Sequence, residues 1–265
     1  MTRVRPVALT VAGSDSGGGA GIVADCKTFE AMGVWATVAI TAVTAQNTHR
    51  VVGVEMIRPD LVAAQVAAVC GDFSVAATKT GMLGSPAVAR AVAEVLGRGR
   101  AGPIVVDPVV RASSGSVLLD DEGLDVLRRE LLPLAALVTP NRAEAAALAG
   151  GEVRSRSDME GAAAALLEWG CGAALVTGHV AGAVAADCLI RPGTAPEWLE
   201  GPFVTGVGDP HGTGCVLSAA ICAGLAHGWP LDEACRAAKA FTAAAIRAAA
   251  RIGGGALVLG PGAGV

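Results

Sequence analysis

Tyrosine is absent from the chain and aromatic residues make up only 3% of it, so an interior drawn from its 52% apolar residues has to be packed with Ala, Val and Leu. Excess positive charge is missing too. The formal net charge is −4, which argues against a nucleic-acid binder, because such a protein needs a basic patch to release counterions from phosphates. The seven cysteines (Cys26, Cys70, Cys171, Cys188, Cys215, Cys222, Cys235) are odd in number and form no C-x-x-C pair. That speaks against a zinc site or a disulfide framework and for a reducing compartment. A leader is not seen either, since Met1 to Pro6 runs at once into a strand and leaves no room for a signal peptide's apolar region. Cytoplasm is the expected location, with a small-molecule partner and neither nucleic acid nor membrane. The long uncharged stretch, Gly212 to Trp229, approaches a bilayer span. Its glycines, Thr213, Ser218 and His227 dilute it, and it reads as a core helix.

What is present is an alternation of β-branched apolar runs with alanine-rich helical ones. Strands are predicted over Val7–Ala12, Trp35–Val43, Val75–Thr78, Ile104–Asp107, Ala136–Thr139 and Ala173–Thr177, with helices over Ala20–Met32, Asp60–Val69, Pro86–Leu96, Asp121–Leu131, Arg142–Leu148 and Asp158–Trp169. Continuous apolar strands alternating with helices imply a parallel sheet covered on both faces. The patch Val184–Val204 breaks the rhythm and reads as a hairpin at one edge, and helices Gly214–His227 and Leu231–Ile252 close the chain. At 265 residues, with no repeat, linker or composition shift, residues 1–265 are expected to form one domain.

In such sheets ligands bind outside the carboxyl ends of the strands. After the first strand comes Gly13-Ser14-Asp15-Ser16-Gly17-Gly18-Gly19-Ala20-Gly21. Gly13 and Gly18 have P-loop spacing, but Gly19 stands in place of the obligatory lysine, so that reading fails. Gly19-x-Gly21-x-x-Ala24 fits the dinucleotide fingerprint, yet Thr44-Ala45-Gln46-Asn47 occupies the place of the acidic residue the motif needs. Asp25 is either a surface carboxylate on the next helix or a functional one. Gln46 is a plain loop residue or a paired donor and acceptor for a heteroaromatic amine. Asp107 is a magnesium or substrate-hydroxyl ligand, or a turn cap. Asn141 and Glu144 share one face of a helix start, where a capping pair is the simplest account. Finally, His211-Gly212-Thr213-Gly214-Cys215 puts bare glycines before an apolar helix. It is an anion site at a helix N-terminus or a buried start with a core cysteine.

Taken together, Gly13–Asp25, Thr41–Thr48 (T-A-V-T-A-Q-N-T), Lys79–Leu83 (K-T-G-M-L), Val105–Val109 (V-V-D-P-V), Val138–Glu144 (V-T-P-N-x-x-E) and His211–Cys215 occur in this order over nearly the whole chain. This set resembles the hydroxymethylpyrimidine and phosphomethylpyrimidine kinases of thiamine biosynthesis, in the ribokinase superfamily. The resemblance implies a three-layer sandwich with a mainly parallel sheet, and ATP- and Mg2+-dependent phosphorylation of 4-amino-5-hydroxymethyl-2-methylpyrimidine and then of its monophosphate. It implies that Gly13, Ala20, Asp25, Thr44, Gln46, Met82 and Val109 surround the pyrimidine. Gly212, Thr213 and Gly214 would form the anion hole, with Cys215 where most of the superfamily has an aspartate base. Asp107 and Glu144 would organise the metal, Asn141, Thr177 and His211 would meet ATP, and a homodimer is expected. The helix dipole would lower the Cys215 pKa from about 8.5.

The departures from the family pattern concern charge. Ala112-Ser113-Ser114-Gly115 and Val176-Thr177-Gly178-His179 lack the lysines usual at Ser113 and Thr177, and Asp209-Pro210 adds a negative charge before His211. Arg111 or Lys79 would have to compensate. A kinase for pyridoxal or another hydroxymethyl heteroaromatic, and a binding protein without turnover, are the alternatives.

Overall fold

The computed structural model describes residues 5–110, 118–208 and 210–262. Arg111, Ser113 and Asp209 lie outside them. Strands β1 (Val7–Ala12), β2 (Trp35–Ile40), β5 (Val75–Thr80), β6 (Ile104–Val106), β7 (Ala135–Val138), β8 (Ala174–Ala181), β9 (Val184–Ile190) and β10 (Glu197–Pro202) form one sheet in the order β10-β9-β8-β7-β6-β5-β1-β2. Pairing is parallel from β2 through β8, and the expected hairpin, β9 with β10, adds antiparallel strands at the edge.

Period-2 alternation decides which layer each strand residue joins. Leu9, Ile104, Val106 and Val176 pack with Val66 of α2 (Pro59–Asp72), Val92 of α3 (Pro86–Leu96), Leu124 of α4 (Asp121–Val126), Leu148 of α5 (Arg142–Ala149) and Leu166 of α6 (Arg156–Leu167). Ala8, Val105, Leu137 and Leu175 face the other way, against Phe29 of α1 (Gly21–Ala31), Ile221 of α7 (Thr213–Ala226) and Cys235 of α8 (Leu231–Arg247). Both faces of the sheet are therefore apolar and covered, which is the three-layer arrangement. Helix α7 is buried nearly all round, from Val216 to Gly224, as a helix apolar on every side must be. Among the described residues no helix is long and apolar enough to cross a membrane.

Three sequence expectations need correction. The run Trp35–Val43 is two strands, because at Thr41 the chain turns out of the sheet: its N–H donates to Ala12 O and its hydroxyl to Met82 O. Beyond it β3 (Ala42–Gln46) pairs with β4 (Val51–Met56), a strand the periodicity missed, as a separate two-stranded flap. The helix expected over Asp121–Leu131 is α-helical only to Val126 and then widens into a π turn over Leu127–Leu131. The last helix stops at Arg247 rather than Ile252. Beyond it the chain folds back on itself, with Ala250 bridged to Val258 and Val258 to His211.

Candidate active site

Along the carboxyl ends of β1, β5, β6, β7 and β8, between the flap and α8, runs a cleft of about 1530 Å3. Gly13, Ala20, Thr44, Gln46, Met82, Val109, Asp107, Asn141, Glu144, Thr177, His211, Gly212, Thr213, Gly214 and Cys215 all line it. Asp25 does not. It is neither at the surface nor on the cleft wall, but fully buried behind it, where Lys79 Nζ lies 2.8 Å from its Oδ1 and Thr10 donates to Oδ2 at 2.6 Å.

The glycine-rich loop spends its own amides. Gly17, Gly19 and Ala20 N–H all donate to the Asp15 carboxylate, at 2.7, 2.9 and 2.9 Å. Those groups are what a dinucleotide phosphate would need, so this loop is closed around an internal anion. The α7 N-terminus is arranged differently. Gly212 has φ +91°, and a Cβ there would lie 1.9 Å from Gly19 O, so only glycine allows the turn to press against the loop. The first intrahelical bond is Val216 N–H to Gly212 O, leaving the preceding N–H groups directed out of the helix start.

Beneath this turn sits a charged cluster. Lys79 is completely buried between Asp25 and Asp107, whose Oδ2 is 3.8 Å from its Nζ. Burial alone would lower the Lys79 pKa, but the carboxylates of Asp25 and Asp107 raise it, so it stays charged. It is committed to that cluster and does not replace a phosphate-binding lysine. Cys215 also departs from expectation. Burial pushes its thiol up to about 12, with Asp107 and Asp25 adding to that rise against Lys79, so the helix dipole does not prevail and the group is a thiol at neutral pH. Asp107 accepts from Ser218 Oγ at 2.8 Å.

Asn141 caps α5, accepting from Ala143 and Glu144 N–H, while the Glu144 carboxylate accepts from Asn141 N–H at 2.9 Å. The capping pair is thus real, and it leaves Glu144 in the cleft wall. Burial and the charge of Asp107 push the Glu144 carboxyl up to about 8. A carboxyl raised by burial and by a neighbouring carboxylate's charge suits a hard divalent cation. Among the described residues no group of three or more His, Cys, Asp or Glu side chains is placed to hold a metal ion by itself. Magnesium fits this donor set, since it is commonly held by one or two carboxylates plus phosphates and water.

On the flap, Thr44 and Gln46 share one face and point into the cleft, and Met82 lies below them over Gly13. His211, expected to meet ATP, packs here instead: its Nε2 is 3.1 Å from Gln46 Nε2 and 3.3 Å from Asp15 Oδ2. At the far end Thr177 N–H donates to Pro140 O, next to Asn141.

Sequence reasoning missed three residues. Asp15 was readable from an acidic side chain before a run of glycines, the signature of an Asx turn. Lys239, on α8, pairs with Asp187 at 2.6 Å inside the cleft, and Thr242, one turn on, is buried with no hydrogen-bond partner for its hydroxyl among the described residues. Nothing in an alanine-rich helix distinguishes those two beforehand.

Comparison with known proteins places the chain in a family. The family described as phosphomethylpyrimidine kinase matches residues 15–260. The chain is 47% identical over 249 residues to a hydroxymethylpyrimidine/phosphomethylpyrimidine kinase of Rhizobium meliloti, covering 93% of this chain and 92% of that one. Among solved structures it resembles the ADP complex of Bacillus subtilis pyridoxal kinase (TM-score 0.89, 34% identity, 98% of both chains). It also resembles a phosphomethylpyrimidine kinase from Clostridium difficile (TM-score 0.80, 36% identity, 91% of this chain and 100% of that one). The chain belongs to the phosphomethylpyrimidine kinase family.

Proposed function

We propose that this chain transfers a phosphoryl group from ATP to the hydroxymethyl oxygen of 4-amino-5-hydroxymethyl-2-methylpyrimidine, and a second one to the resulting monophosphate. The observation that carries the reading is one cleft uniting the α7 N-terminus, the Gln46 amide and the Asp107–Glu144 pair. Phosphoryl transfer is mainly positioning and charge stabilisation, and each of these parts serves one of those needs. The N–H groups of Gly212, Thr213 and Gly214 face the migrating group, and the helix dipole favours negative charge there. Gln46 orients the ring. Cys215, a neutral thiol, holds the hydroxyl in line, and a loose transition state asks for no strong base. Asp107 and Glu144 would hold magnesium, which when bound neutralises charge on the ATP phosphates. Asn141 and Thr177 sit where the nucleotide would reach. A homodimer belongs to the same reading and is supported by Val43, exposed on the flap face opposite Thr44. So does a cytoplasmic location, supported by seven free thiols.

The test is ADP release with hydroxymethylpyrimidine, its monophosphate and pyridoxal as separate acceptors. Turnover with the first two and little with pyridoxal is the expected result. Pyridoxal as the best acceptor would move the chain to the activity named for its Bacillus subtilis neighbour, and no turnover with any acceptor would make it a binding protein.

A further inference from the structure

Gln46 is held at both ends. Its side-chain amide meets His211 Nε2 at 3.1 Å on one side and Thr44 Oγ1 at 3.3 Å on the other. The structure sets the amide nitrogen toward His211 and the oxygen toward Thr44, but the two atoms are told apart only by their partners, and counting protons turns the amide over. The count starts at Asp15. Gly17, Gly19 and Ala20 N–H all donate to its oxygens, and against the cost of burial the carboxyl is held below its ordinary range. It is an acceptor only. A lone pair on His211 Nε2, 3.3 Å from that carboxylate, would be repelled, so this nitrogen carries the proton. A protonated Nε2 requires an acceptor from the amide as well, and only Oε1 qualifies.

The other end gives an independent count. Thr44 Oγ1 owns one proton, and it donates to Ser14 O, a carbonyl, at 2.9 Å. Toward Gln46 the hydroxyl is left as an acceptor, and only Nε2 can donate to it. Both ends of the amide therefore demand the same orientation. The frame around it is rigid: Ser16 Oγ accepts from Gln46 N–H at 2.8 Å and donates to Gln46 O at 2.7 Å. His211 N–H is tied to Leu257 O at 3.0 Å, and its ring lies 3.0 Å from where a Cβ on Gly19 would be.

We propose that Asp15 and His211 are specificity-determining positioning residues, which lock the Gln46 amide in one of its two orientations and so fix which way round the substrate ring enters. This rests on Gln46 being the ring-reading residue. The locked amide keeps one N–H and one oxygen lone pair for the cleft, matching a ring nitrogen beside an exocyclic amine. An amide free to turn by 180° offers the same groups in reverse order and accepts the ring the other way round, carrying the hydroxymethyl group away from Gly212–Cys215. Orientation, rather than affinity alone, is what the relay supplies.

Nitrogen-15 NMR of the histidine-labelled protein without substrate reads the first half directly. His211 Nε2 is expected to be bonded to hydrogen, and a bare Nε2 with the proton on Nδ1 overturns the assignment whatever the substrate proves to be. The second half compares His211→Phe and Asp15→Asn with the parent protein on hydroxymethylpyrimidine and on its analogue with an exocyclic carbonyl oxygen in place of the amine. The ratio of kcat/KM between the two acceptors is expected to fall about tenfold or more, chiefly through kcat, because a reversed ring occupies the site without reacting. An unchanged ratio in a folded His211→Phe overturns the role, and that variant leaves the Asp15 loop bonds in place should Asp15→Asn fail to fold. Lack of turnover of hydroxymethylpyrimidine by the parent would count against the functional reading instead, with the NMR result still deciding the amide.

Discussion

At Cys215 burial, reinforced by the carboxylates of Asp107 and Asp25, opposes ionisation while the charge of Lys79 favours it, and the balance stands at about 12. Because that value lies far above neutrality, the S–H form persists throughout the physiological range, and nothing in the site waits on a thiolate. A hydroxyl at the same position can do the same positioning. Cys215→Ser is therefore expected to keep a substantial share of turnover. Cys215→Ala should lose most of it with the pyrimidine KM little changed, since no large cavity opens. Steady-state kinetics of both variants decide the matter: near-normal turnover in the alanine variant removes the side chain from the reaction, and a serine variant as inactive as alanine would mean that a thiolate is needed after all. The H-G-T-G-C run was legible as a turn before a helix. The ionisation of its cysteine was not, because Lys79 and Asp107 arrive from β5 and β6, far along the chain, and only the folded sheet sets them beneath it.

Among the elements, the flap is the one whose position depends on a distant segment. Its turn is closed by Asn47, whose Oδ1 accepts from His49 and Arg50 N–H, and its next residue, Thr48, is strapped to the C-terminal segment. Ala256 N–H donates to Thr48 O at 2.8 Å, and Gly255 N–H to Thr48 Oγ1 at 3.0 Å. A Cβ on Gly255 would lie 2.2 Å from Thr48 O, a backbone atom that cannot step aside. Gly255→Ala is expected to lift the strap and loosen the flap that carries Thr44 and Gln46. The pyrimidine KM should then rise several-fold, the loss of about one hydrogen bond's worth of positioning, while the ATP KM stays put, because Thr177 and Asn141 lie on β8 and at the start of α5. Equal rises in both KM values would show that the strap supports the whole cleft. Most of the sheet and its helices could be read from periodicity, since burial on both faces writes apolar runs into β1, β6 and β7. The flap could not: V-V-G-V-E-M is exposed and broken by Gly53, so no alternation marks it, and its pairing to β3 depends on Thr41 turning the chain out of the sheet.

Over the whole molecule the question is how a chain of net charge −4 handles a polyanionic co-substrate without the two lysines that the family resemblance implies at Ser113 and Thr177. Lys79 is consumed by Asp25 and Asp107. Arg236, also in the cleft wall, pairs with Glu197 at 2.7 Å and Asp232 at 3.0 Å. Lys239 pairs with Asp187 at 2.6 Å, and the same carboxylate accepts from Gly178 N–H at 3.0 Å. Each of these cations thus meets an incoming phosphate with part of its charge already answered by a carboxylate, and charge-assisted contacts to phosphate are about twice as strong as neutral ones. The ATP KM is accordingly expected to be high, and the uncharged hydroxymethylpyrimidine to be preferred over its monophosphate. Thr177→Lys adds an ammonium beside Gly178, where Asp187 is already engaged on both of its oxygens, so the new charge is left for the nucleotide. The variant is expected to lower the ATP KM, and rising salt should erode that gain, because screening at about 10 Å or less reaches the open end of the cleft before its buried floor. Tight ATP binding by the unsubstituted protein, or a Thr177→Lys gain indifferent to salt, would mean that Lys239 can leave Asp187 for the phosphates and that charge was never in deficit.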